Sequence, residues 1–421
     1  MPHPQRAKGL FWRLGIALPL LAVALSGCKQ PSGTTSGTAG GTTGAGTTGT
    51  GGTDTAAAAN VDKAAPYQGD EIVLGEYGSL TGSTATFGQS THNGIMMAVD
   101  EANTKDGVLG KKIRVVTVDD AGKTEQAATA VLKLINQNKV LAVLGEVASS
   151  RSLAAAPICQ KAGVPMISPT STNPKVTQVG DYIFRTCFID PFQGTVMARF
   201  ARQNLKATKA AVLTDVANDY SKGLTEFFIE EWKRSGGEIV AEASYSEGDK
   251  DFRAQLTRIK GTNPDVIYVP GYYTEVGNIA VQARSLGIKQ VMMGGDGWDS
   301  PKLFEIGKQA VQGFYFSNHY SPQSKDPRVV AFIASYKKRY NNQTPDALAA
   351  VAYDAGRIMI DAIKRAGNTD REKIRDAIAT TKSFPGVTGN ISIDQERNAV
   401  KPAVVLQVKG NEAVYVSTVN P

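Results

Sequence analysis

The stretch VLAVLGEVASSRSLAAAP (140–157) begins as a strand and turns into a helix across a small polar junction. Val140, Leu141, Ala142, Val143 and Leu144 are apolar without a break, Gly145 punctuates them, and Ser149, Ser150 and Ser152 follow. An unbroken apolar run of this length suits a strand covered on both faces, as in a parallel sheet. Its carboxyl end is then where open parallel sheets bind ligands. The serines stand there at a helix start, beside backbone N–H groups that lack intrahelical partners. Such a start, flanked by hydroxyls, suits an anion, although a serine in that place also simply caps a helix.

The pattern recurs. EIVLGEYG, KIRVVTVDD, VPMIS, KAAVLTD, DVIYVPG and VMMGGD are short apolar runs ending in Gly, Ser or Asp, separated by stretches of helical length such as 93–103 and 124–138. Strands alternating with helices predict right-handed βαβ units, hence an α/β fold with two mostly parallel sheets flanked by helices. A break between the two falls around RTCFIDPFQG (185–194). A second hydroxyl cluster, Ser168, Thr170, Ser171 and Thr172 in VPMISPTSTNP, ends another strand. Two such clusters on neighbouring strand ends point to one carboxylate held between them.

Composition narrows the function classes. With 421 residues, 42% apolar and 20% charged, the chain can bury the cores of two lobes. Three cysteines rule out a disulfide scaffold, and three histidines leave little for a histidine-rich metal site. Of the formal charge of +7, three units sit on Arg6, Lys8 and Arg13, and the remaining bases are dispersed, which argues against nucleic acid as a partner. There is no G-x-S-x-G elbow, no H-E-x-x-H and no P-loop, and Asp296 has no evident histidine partner, so the reading is not an enzyme and needs no cofactor. Gly44, Gly46 and Gly49 satisfy G-x-G-x-x-G inside a low-complexity run with no strand before it, and carry no weight.

The first residues read as an export signal. A basic segment precedes the apolar LGIALPLLAVAL, and LSGC (25–28) follows at once, resembling a lipobox. Residues 1–27 are therefore expected to be a lipoprotein signal peptide and Cys28 the lipidated first residue of an exported, membrane-anchored protein. From 31 to 60 the chain is almost wholly Gly, Thr, Ser and Ala, a tether spanning roughly 30 Å as a flexible coil. Lipidated cysteine and tether together make up 28–70.

From 71 onward, GSLTGSTATFGQ, AVDEAN, LGEVASS, PMISPTSTNPKVT, IFRTCFIDPFQG, PGYYTEVGNIAVQARSLG, GGDGWDSP and VAYDAG occur in an order that resembles the leucine/isoleucine/valine-binding protein family, the amino-acid receptors of ABC importers. The resemblance implies a type I periplasmic-binding fold whose two lobes, joined by three hinge crossings near Asp190, His319 and Pro385, close on the ligand. The first lobe would comprise 71–190 and 319–384, the second 191–318 and 385–421. It implies that Ser149 and Thr172 hold the α-carboxylate, that the Thr170 carbonyl accepts from the α-ammonium, and that Asp296, in place of a family glutamate, pairs with that ammonium. Tyr220 and Tyr272 would press on the ligand from the second lobe and Phe87 from the first, with Leu348 in the apolar pocket and Asp190 an acid at the hinge.

The implied function is that of an extracytoplasmic binding protein for an α-amino acid, branched-chain or otherwise apolar, delivering it to an ABC permease. A receptor for urea, short amides or an aromatic or organic acid on the same fold is the alternative. Trp298 and Arg151 fall beside the site without a family role and could restrict or recharge the pocket. For Cys159 and Cys187 a mutual disulfide and two buried thiols both stay open.

Overall fold

The computed structural model describes residues 61–421; the expected signal peptide, Cys28 and the expected tether up to Asn60 lie outside the described residues. Strand β1 (Ile72–Gly78) is buried along its whole length. With β2 (Ile113–Asp119), β3 (Ala142–Leu144), β4 (Met166–Ser168) and β5 (Ile183–Arg185) it forms a parallel sheet of order β2-β1-β3-β4-β5. Successive β1 side chains face opposite ways, as the pleat requires. Ile72 and Leu74 join one core with Ile95 and Leu144, while Val73 and Tyr77 join another with Ala130, Val131 and Val143.

Helices cover both faces. In α1 (Ala85–Asn103) the described helix starts well before residue 93. Gly88 and Gly94 are points of close approach: a side chain on Gly88 would meet the Ser79 carbonyl at 2.3 Å, and one on Gly94 the Ala349 carbonyl at 2.2 Å. Helix α2 (Thr124–Asn136) buries Ala127, Ala130, Val131 and Leu134, the i, i+3, i+4, i+7 stripe of an amphipathic helix. Helix α3 (Ser149–Ala162) ends at Gly163, whose φ of 64° is the left-handed stop that glycine adopts without penalty.

After β5 the chain passes into the second lobe through α4 (Asp190–Gln203). Strands β6 (Lys209–Asp215), β7 (Glu238–Tyr245), β8 (Val266–Tyr268), β9 (Val291–Gly294) and β10 (Tyr315–Asn318) are parallel to one another. Between them lie α5 (Asp219–Arg234) and α6 (Tyr273–Ser285). Phe228, Trp232, Tyr268 and Phe316 centre this lobe's core.

Beyond β10 the chain returns to the first lobe as α7 (Pro327–Arg339) and α8 (Ala347–Ala366), the latter lying along α1. Strands β11 (Phe384–Gly386), β12 (Gly389–Ile393) and β13 (Ala399–Val400) then form a small antiparallel sheet. This corrects the third crossing, expected near Pro385. Ile391, Ile393 and Ala399 pack into the core of β1, and the buried carboxylate of Asp354 on α8 accepts from Val387 N at 2.8 Å and Thr388 N at 2.9 Å, so the segment is tied to the first lobe. The chain leaves it at 401–402, and β14 (Ala403–Lys409) and β15 (Glu412–Val419) complete the second sheet, of order β15-β14-β10-β9-β8-β6-β7.

Candidate functional site

The hydroxyls after β3 and β4 divide into two kinds. Ser168 and Ser171 both donate to the Glu146 carbonyl, at 2.6 and 3.0 Å, and Ser152 bonds Ser171 at 2.8 Å. These three stitch one strand-end loop to the next. Below them the buried Arg185 guanidinium donates to the carbonyls of Ser171, Asn173 and Pro174 and to Thr177 Oγ1, which fixes the path of the second loop. Thr170 Oγ1 and Thr172 Oγ1 are buried and have no hydrogen-bond partner. Ser149 Oγ accepts from Asn173 N at 3.3 Å and keeps its own proton to donate. Buried polar groups are normally paired, so two orphan hydroxyls beside a third with a proton to spare mark a place built for a polar guest.

From the second lobe Asp296 enters through a tight turn after β9. Its Oδ1 accepts from Tyr220 OH at 3.0 Å, its Oδ2 lies 2.9 Å from His319 Nε2, and its backbone N donates to Gln193 Oε1 at 2.8 Å. His319, one residue past the end of β10, corrects the expectation that Asp296 lacks a histidine partner. Its position at the carboxyl end of a parallel strand was the available signal, the same one that singled out Ser149. Gln193 also accepts from Ser317 Oγ at 2.8 Å and donates to Asp190 Oδ1 at 3.3 Å, joining the acid of the site to the acid of the hinge. Asp190 Oδ2 has no partner, although Thr172 Oγ1 lies beside the carboxyl. Burial pushes the Asp190 carboxyl up to about 8.

The side walls are aromatic. The rings of Tyr220 and Tyr272 stack with centroids 5.4 Å apart, and Phe87 from the first lobe meets Tyr272 edge-on at 5.4 Å and Tyr273 at 5.0 Å. The Tyr272 hydroxyl is buried and unpartnered. Leu348, Val147 and Ala148 belong to the same apolar cluster, so first-lobe and second-lobe side chains share one dry wall.

Around this wall the lobes are pinned by polar pairs. Ser150 Oγ donates to Asp219 Oδ2 at 2.9 Å, Asn173 Nδ2 to the Asp219 carbonyl at 2.8 Å, and Arg151 reaches Glu247 at 3.1 Å. Arg151 is further held by Ser79 and Thr84 and lies 3.7 Å from Glu146, so its charge is met within the protein and does not recharge the pocket. Burial, reinforced by Asp120, pushes the Glu146 carboxyl up to about 7 against the pull of Arg151. Trp298 is spent in the second-lobe core, its indole donating to the Val269 carbonyl at 3.0 Å and its rings facing Phe314 and Phe316. Cys159 and Cys187 are separate buried thiols, the latter donating to the Ser171 carbonyl at 3.4 Å.

Residues 71–413 match the family model described as periplasmic binding protein. The Leu/Ile/Val-binding protein BraC3 of Rhizobium johnstonii is 32% identical over 331 residues, 78% of this chain and 89% of that one. The leucine-binding protein LivK of Thermotoga maritima superposes with a TM-score of 0.80 at 43% identity, over 83% of this chain and 99% of its own. LivJ of Streptococcus pneumoniae, in complex with isoleucine, does so at 0.79 and 37%, over 83% and 100%. A more distant solute-binding protein of Rhodopseudomonas palustris, in complex with 3,4-dihydroxybenzoic acid, gives 0.75 and 27%, over 84% and 98%. The chain belongs to the periplasmic binding protein family, among the leucine/isoleucine/valine-binding proteins, and is a substrate-binding component of an ABC transporter rather than an enzyme.

Proposed function

We propose that the protein binds an α-amino acid with an apolar side chain between its two lobes and presents it to an ABC permease, as an exported lipoprotein held through Cys28. In this reading Ser149 and Thr172 take the carboxylate, the Thr170 carbonyl and Asp296 take the ammonium, and Phe87, Tyr220, Tyr272 and Leu348 enclose the side chain. Asp190 braces the hinge side. The observation that carries it is Asp296. Its two neutral donors satisfy hydrogen bonds but leave a buried negative charge without a counter-charge, a costly arrangement unless the guest is a cation. The relatives that bind leucine or isoleucine support the same side-chain class.

An aromatic acid would use the same stacked rings and hydroxyls, and one relative binds such a ligand. It brings no cation to Asp296, and the amino acid is the better reading for that reason. A thermal-shift panel of α-amino acids, their carboxamides and hydroxybenzoates separates the two, because a guest that binds only the folded state raises its stability by RT ln(1 + [L]/Kd). Leucine, isoleucine or valine should give the largest shift. A panel in which only hydroxybenzoates shift the transition would overturn the amino-acid reading.

A further inference from the structure

His319 touches the candidate ammonium site directly and has only one protonation state that fits its surroundings. The imidazole is buried, it lies against the Phe188 ring with centroids 4.0 Å apart, and its Nε2 is 2.9 Å from Asp296 Oδ2. An ionised carboxylate only accepts, so Nε2 carries the proton. The other nitrogen, Nδ1, has no partner. A second proton there would bury both a charge and an unmet donor.

We propose that His319 is a positioning residue for the ligand's ammonium: as a neutral donor it aims Asp296 into the cleft, and once protonated it supplies Asp296 with a counter-charge of its own and so competes with the ligand. The proposal rests on the amino-acid reading above. All three hinge crossings converge here, Phe188 from the first, His319 from the second and Lys401 from the third.

The titratable groups that act on His319 are Asp296 on the turn after β9 and Lys401 at the last crossing, while Cys187 and Asp190 at the first crossing and Tyr220 of α5 in turn act on Asp296. Burial lowers the imidazole's pKa and Lys401 lowers it further, while Asp296 works the other way. If the ligand-bound cleft admits only the neutral ring, binding releases the proton of any charged His319. Affinity is then full above the ring's free-state value and falls below it. Kd therefore rises as the pH falls through the range in which the ring takes its second proton, a range that burial moves below the ordinary imidazole one. Glu146 and Asp190, pushed up to about 7 and about 8, titrate in neighbouring windows. They are common to wild type and variant, so the informative quantity is the difference between two profiles.

Calorimetric titration with leucine from pH 5.5 to 7.5 tests this on the full chain, its H319Q variant and its H319F variant. Gln keeps an amide donor of similar reach but cannot be protonated in this range. Wild type should weaken steadily as the pH falls toward 5.5. H319Q should bind more weakly than wild type at pH 7.5 yet hold that affinity down to pH 5.5, and H319F, without a donor, should bind more weakly than H319Q. Parallel profiles for wild type and H319Q would overturn the role of His319 while leaving the amino-acid reading intact. No leucine binding by wild type at any pH would defeat that reading, and this proposal with it. Should H319Q not fold, nitrogen-15 spectra of leucine-saturated wild type decide: a neutral imidazole protonated at Nε2 at pH 7 supports the proposal, and an imidazolium contradicts it.

Discussion

Hydroxyls that look alike in sequence have different work in the fold, and the difference can be measured. Ser171 donates to the Glu146 and Val147 carbonyls at 3.0 and 2.9 Å, so Ser171→Ala should cost about 1–3 kcal/mol of stability by leaving buried acceptors short. Thr172 Oγ1 makes no well-formed hydrogen bond among the described residues and only lies beside the Asp190 carboxyl, so Thr172→Val should cost less stability than Ser171→Ala, while ligand affinity falls ten- to hundredfold, about 1.5–3 kcal/mol. Equal losses of stability in both variants would contradict this division. Asp190 has a pH signature. Its folded-state value near 8 exceeds the ordinary carboxylate range, so the folded protein holds a proton that the unfolded chain has lost, and stability falls as pH rises from about 4 toward 8. Asp190→Asn should flatten that slope in melts between pH 5 and 8, and an unchanged slope would show that Asp190 is not its source. Ser149, Thr172 and Asp296 could be singled out in sequence because strand ends and motif order mark them. His319 also stands at a strand end, but its pairing with Asp296 could not be read there, because that contact joins two loops 23 residues apart that only the sheet brings together.

Among the elements, those with a fully buried face were the legible ones. The apolar runs of β1, β3, β4 and β8 stand out because both faces are covered. Strand β7, at the sheet edge, mixes exposed and half-buried positions with only Ala241 and Tyr245 buried, and β5 is three residues long and includes the buried Arg185, so neither advertises itself. Strands β11–β13 were assigned across the wrong crossing because nothing local reveals that Asp354, some thirty residues earlier, anchors them. Helix α1 begins at Ala85, well before 93, and its Gly88 and Gly94 serve close contact. Gly356 of α8 faces Ala98 across the same helix pair, where an added side chain would come within 2.9 Å. Gly94→Ala should therefore destabilise despite alanine's better helix propensity, by about 1–3 kcal/mol of overpacking, as read from urea unfolding. A gain in stability would mean that α1 and α8 are not closely packed.

For the whole molecule, the proposed function depends on charges divided between lobes: carboxylate ligands in the first, Asp296 in the second. The pairs Arg151–Glu247 and Ser150–Asp219 join the lobes, and Phe87, Leu348 and Tyr272 share one apolar wall, which in the proposed reading closes over the ligand's side chain. The proposed attachment to a membrane is a separate matter and rests on LSGC. Cys28→Ser should release a protein that still binds ligand into the soluble fraction, and retention in the membrane after a high-salt wash would contradict lipidation. The central claim is that one guest must satisfy both lobes at once, and it is tested most directly by titrating wild type and Asp296→Asn with leucine and with its des-amino analogue, 4-methylpentanoate. Leucine should bind wild type far more tightly than the analogue does, and Asp296→Asn should remove at least about 2 kcal/mol of that preference. Equal affinity of wild type for the two would show that no ammonium site exists.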